Sequence, residues 1–98
     1  MGHDYFEGIL QLRNPNAEAV RYIHNQFRKN PKEWISNVVE LKSGGIDFYV
    51  SSNRFLKILG RRLKNAFKGE LKLSKKIYSI NRQTSKNVYR GTVMFKLE

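Results

Sequence analysis

The chain has 98 residues, room for one domain, and its 40% hydrophobic content suits a small core that removes roughly 60–65% of the unfolded chain's surface from water. Lysine and arginine number 19 against 8 aspartate and glutamate, a net charge of +11 that argues against an acidic-ligand or calcium module and favours a polyanion, nucleic acid before anionic membrane. Cysteine is absent, which excludes disulfides, cysteine-based zinc sites and thiol catalysis within the chain and fits a reducing, cytoplasmic setting; no apolar run approaches the roughly 20 residues that span a bilayer.

In chain order, Tyr5–Arg13 reads as a first strand, with Phe6, Ile9, Leu10 and Leu12 in a short apolar stretch. Asn14-Pro15 then reads as a helix start, with Asn14 as N-cap, Pro15 at the first helical position and Glu18 near the positive end of the dipole. The helix is expected to run to about Lys29, with Ala19, Val20, Ile23 and Phe27 on one face, and Asn30-Pro31 ends it. Trp34–Lys42 and Ile46–Ser51 read as two strands joined by a turn at Ser43-Gly44-Gly45. In the second of these, Ile46, Phe48 and Val50 alternate with Asp47 and Tyr49, the period of a half-buried strand.

Ser51, Ser52 or Asn53 can cap a second helix, Arg54–Lys68, which Gly69 closes from the position past a helix end that glycine favours. Two further strands, about 70–80 and 88–97, follow, joined by a polar loop Asn81–Asn87. The expected order is β-α-β-β-α-β-β, an α+β domain with two helices packed on one face of a mainly antiparallel sheet, split βαβ-like with an added strand.

The charge is unevenly placed. Residues 1–53 hold six basic and six acidic residues, whereas residues 54–90 hold twelve basic residues and a single acid, Glu70. On a helical wheel Phe55, Leu59, Ala66, Leu63, Leu56 and Phe67 form one stripe, and Lys57, Arg61, Lys64 and Lys68 form a ridge on the opposite side with Arg54 beside them. Like charges at such spacing cost a few tenths of a kcal/mol per pair. Lys72, Lys75 and Lys76 on the following strand, and Arg82 and Lys86 in the loop, are read as extensions of the ridge. Such a surface suits phosphates, which position a protein without reporting sequence. The loop offers Arg82, Gln83, Thr84, Ser85 and Lys86, groups able to follow a backbone and reach unpaired bases.

Catalytic and metal chemistry find little support. His24 has no second ligand at a coordinating spacing, Ser51-Ser52 reads as capping chemistry, and Gly44-Gly45 lacks the strand-to-helix context of a phosphate loop. Asp47 stands without the clustered carboxylates of a metal-dependent nuclease. Trp34 and Tyr49 are expected at half-buried sheet positions. No catalytic residue, metal or cofactor is expected.

Several pieces, in order, resemble a middle domain of the large-ribosomal-subunit export adaptor family first named after nonsense-mediated decay, in a form archaeal in style. They are Glu7–Arg13, Asp47–Ser52, Arg54-Phe55, Gly60–Leu63, Gly69–Lys72, Arg82–Lys86, Tyr89-Arg90 and Thr92-Val93. The resemblance implies a factor that binds the large subunit late in assembly. It also implies a domain similar to a eukaryote-type large-subunit ribosomal protein, lying on ribosomal RNA near the tRNA exit side. A zinc module with CxxC pairs and a translation-factor-like domain normally accompany it, and this sequence holds neither. The chain is therefore expected to be one RNA-binding domain, a piece of a longer multidomain protein, and monomeric. Arg61, Arg62, Lys72, Arg82, Lys86 and Arg90 fall on matching positions.

The expected function is non-catalytic docking on ribosomal RNA through Arg54, Lys57, Arg61, Arg62, Lys64, Lys68, Lys72, Lys75, Lys76, Arg82, Gln83, Lys86 and Arg90. The alternatives are a protein-interaction module for an acidic partner and, behind it, a metal-dependent nuclease built around Asp47.

Overall fold

A computed structural model describes residues 6–81 and 86–98, and for 74–81 and 86–90 it describes the backbone alone. The elements are strand β1 (Gly8–Arg13), helix α1 (Ala17–Arg28), strands β2 (Ile35–Glu40) and β3 (Ile46–Val50), helix α2 (Asn53–Ala66), and strands β4 (Gly69–Asn81) and β5 (Lys86–Leu97). This is the expected β-α-β-β-α-β-β order.

The five strands form one sheet in the order β2-β3-β1-β5-β4. β1 pairs antiparallel with β3, β3 with β2, and β4 with β5, while β1 and β5 run parallel. β1-α1-β2 is a split βαβ unit with β3 between its strands. The added strand is β5. It lies inside the sheet, between β1 and β4, rather than at its margin.

The core lies on one face of the sheet. Alternation sends Leu10 and Leu12 of β1, Phe48 and Val50 of β3, and Val93, Phe95 and Leu97 of β5 to that face, where all are buried. Ala19, Ile23 and Phe27 of α1 and Phe55, Leu56, Leu59 and Leu63 of α2 meet them there. The rings of Phe27 and Phe55 join the two helices edge to face, 5.0 Å between centroids. The opposite face carries no helix and presents Gln11, Arg13, Asp47 and Tyr49, with the ring of Phe6 edge-on to Tyr49 at 4.9 Å.

Local chemistry sets the boundaries, with four departures from expectation. Asn16, not Asn14, caps α1: its Oδ1 accepts from the Ala19 N–H at 2.8 Å. Asn14 is spent on the turn out of β1, at φ 52, a left-handed conformation that asparagine tolerates. Its Nδ2 donates to the Leu97 carbonyl at 3.1 Å, and Pro15 therefore precedes the helix. Gly69 does not close α2. The helix ends at Ala66 and leaves through an extended Phe67, so Gly69 opens β4. Glycine is required there by crowding, because a Cβ would run into the Lys96 carbonyl and the Phe95 ring.

At both ends of the expected loop Asn81–Asn87, residues Asn81, Lys86 and Asn87 are strand. Ile80 pairs with Asn87 and Asn81 with Lys86, leaving 82–85 outside the described residues. The outer part of this hairpin lies past the start of β1, which pairs with β5 from Gly91 onward. Tyr5 also falls outside the described residues. The turn between β2 and β3 is as expected, with Gly44 at φ 98.

Candidate nucleic-acid interface

α2 owes its start to Ser52, whose Oγ accepts from the Phe55 N–H at 3.1 Å. The preceding loop is fastened by Glu33, which accepts from the Ser51 hydroxyl at 2.5 Å and the Ser52 hydroxyl at 3.0 Å. Ser51 also accepts from the Trp34 N–H at 3.1 Å. Capping and loop fixation thus account for both serines.

The helix sits close to the sheet because two strands offer glycine beneath it. Gly8 and Gly91 are directly opposed, and a Cβ on Gly91 would come 2.6 Å from Oδ1 of Asn53. That Oδ1 accepts from the Gly91 N–H at 2.9 Å, pinning the first turn of α2 to β5. Further along, Gly60 lies over Val93 and Leu71.

With that stripe fixed, Arg54, Lys57, Arg61 and Lys64 stand exposed on the remaining surface of α2, and Lys68 is exposed two residues past its end. None of them takes part in a salt bridge among the described residues. Arg54 also reaches the rim of a cleft of about 380 Å³ between the end of α1 and the start of α2, beside Lys29 and Lys32.

Arg62 leaves this ridge. It lies on the flank facing α1, and its Nη1 donates to Oε1 of Gln26 at 2.5 Å. Gln26 is buried and polar, so Arg62 answers a core amide and ties the helices together. Lys72 leaves the ridge too. Leu71 packs against the core from the helix side of β4, so alternation places Lys72 on the helix-free face, 4.0 Å from Glu70.

Lys75 and Lys76 lie on β4, opposite Gly91 and Arg90 of β5, and Lys86 opens β5 opposite Asn81. Arg82 and Gln83 fall outside the described residues. The structure therefore gathers Arg54, Lys57, Arg61 and Lys64 on one helix, leaves Lys68 exposed past its end, and separates Arg62 and Lys72 from them.

The other polar candidates have local roles. Asp47 accepts from Nη1 of Arg13 at 3.1 Å on the helix-free face. The exposed His24 sets its ring edge-on to Phe48, with 5.9 Å between centroids. Among the described residues no three His, Asp or Glu side chains gather as a metal site would require. No helix there is long and apolar enough to cross a membrane. Sequence reading missed the Asn53–Gly91 and Arg62–Gln26 clamps. A glycine inside each of two strands was the available signal for the first, since strand glycines often mark close approach.

Compared with known families, the chain matches the model described as NMD3, second domain, over residues 5–97. No curated protein matches it. The matched span takes in the whole sheet, both helices and every quoted piece of the earlier resemblance, so the chain belongs to the NMD3 family, whose second domain it carries.

Proposed function

We propose that this is a non-catalytic RNA-binding domain of a ribosome assembly factor, docking as a cytoplasmic monomer on large-subunit ribosomal RNA. The family is one of ribosome export adaptors, which supports a ribosome-related role. The observation that carries the RNA reading is the outer surface of α2, where Arg54, Lys57, Arg61 and Lys64 stand exposed, with Lys68 just past the helix, all without a carboxylate partner among the described residues.

Lys57, Arg61, Lys64 and Lys68 neutralise phosphates, and Arg54 extends the row. The major groove of A-form RNA is too narrow to read with a helix, so the ridge follows the backbone. Arg82, Gln83 and Lys86, with Lys75, Lys76 and Arg90 behind them, engage an irregular RNA segment. Lys72 serves RNA that wraps the edge of the sheet. Arg62 contributes by holding the helix pair, its guanidinium being engaged by Gln26.

The test is a salt titration of binding to a structured RNA from the large subunit. Four neutralised phosphates give a log–log slope of about −3. A slope near zero, together with tight binding to an acidic protein, overturns the proposal in favour of a protein-interaction module.

A further inference from the structure

We propose that the groove between α2 and the edge strand β4 receives the base of one unpaired nucleotide, with the adjoining phosphate at Lys57. The inference rests on the RNA reading above and names what that surface selects.

β4 is the last strand of the sheet, and α2 packs more closely on β5 than on β4. The helix therefore leaves the margin of the core face uncovered. Leu73 lies on that margin at 62% exposure, well above the other exposed large hydrophobics, Val38 at 43% and Val39 at 36%. Beside it is a hollow of about 70 Å³ bounded by Leu56, Leu73 and Val93, with Asn53 and Gly91 at one end and Lys57 at the rim. Asn53, which also lines the hollow, accepts from the Gly91 N–H at 2.9 Å.

Leu56, Leu73 and Val93 give it an aliphatic lining beside Asn53 and Thr92, and Lys57 adds a cation. Glu70, the acid nearest in sequence to Leu73, lies on the other face of the sheet beside Lys72. An apolar surface beneath a cation fits a group with a flat apolar face joined to an anion, which describes a nucleobase and its phosphate. The hollow is too small to enclose a base. The base instead lies against the exposed side chain of Leu73 from the open side, since Leu56 and Val93 are buried. Paired bases inside a duplex are stacked and cannot reach it, so the groove distinguishes a bulge or loop from continuous helix.

The experiment uses the 98-residue chain and three RNAs: an uninterrupted duplex, the same duplex with one bulged adenosine, and the same bulge made abasic. Binding is read by fluorescence anisotropy. The bulged adenosine is expected to bind about tenfold tighter than the other two. Leu73→Ser, an exposed substitution whose fold is checked by circular dichroism, should erase that advantage and leave duplex affinity unchanged. Equal binding of all three RNAs by the unaltered chain, or an advantage that survives Leu73→Ser, overturns the inference while the RNA reading stands. Failure to bind any of the three removes both.

Discussion

α1 and α2 each lay a stripe of buried residues on the same face of the sheet: Ala19, Ile23, Gln26 and Phe27 from one, and Phe55, Leu56, Leu59, Gly60 and Leu63 from the other. Their outer surfaces differ. α1 mixes Glu18 with Arg21 and Arg28, whereas α2 carries Arg54, Lys57, Arg61, Arg62 and Lys64 and no acid. Each helix buries a stripe of its own, so the fold does not call for the charge on α2. Like-charge neighbours along it cost a few tenths of a kcal/mol each, a cost that the proposed RNA partner would offset.

The contrast breaks most sharply by exchanging charge. Reversing Lys57, Arg61, Lys64 and Lys68 to Glu should lower RNA affinity by about a thousandfold or more at physiological salt, with the far-ultraviolet spectrum intact. Reversing Arg21 and Arg28 on α1 should change it by no more than a few fold. Comparable losses from both helices would mean that only net charge matters.

Truncating the buried sides should erase the difference between the helices. Leu63→Ala on α2 and Ile23→Ala on α1 each remove a fully buried side chain. Each should cost about 2–5 kcal/mol in chemical denaturation. An unmoved midpoint for either would displace that residue from the core.

The smallest effect sharpens the comparison at the seam. Arg62→Ala removes the guanidinium that answers Gln26 and should cost about 1 kcal/mol of stability. RNA affinity, measured where the variant is folded, should stay within a few fold. A large affinity loss at unchanged stability would return Arg62 to the binding surface.

What the sequence discloses follows the range of the interaction. The order of elements and the alternation of β3 are local patterns, and both are present, as are the buried stripes of both helices except at Ala66, which is exposed at the end of α2. Ser52 was one of three adjacent candidates to cap α2, and choosing among them required the bond to Phe55. Asn14 and Asn16 offer the same amide two residues apart. The carbonyl of Leu97, at the far end of the chain, holds the first of them in the turn. Gly69 read as a helix stop because the neighbour that demands glycine, the Lys96 carbonyl, is distant in sequence. The ridge was legible along α2, where one wheel describes it. It was overdrawn at Lys72, although Leu71 and Leu73 on either side already placed that lysine on the other face.

The position of β5 bears on how the domain comes into being. Of the five strands, the one translated last is also the one through which β4 joins the rest of the sheet, by pairing with β1 on its other side. Until Val93 and Phe95 leave the exit tunnel, β4 has no neighbour to pair with, and α2 lacks much of the surface it rests on. Pairing across such a long stretch of chain is slow to form. The emerging polypeptide therefore exposes its apolar half, beside a run of cations, until synthesis of this segment is nearly complete.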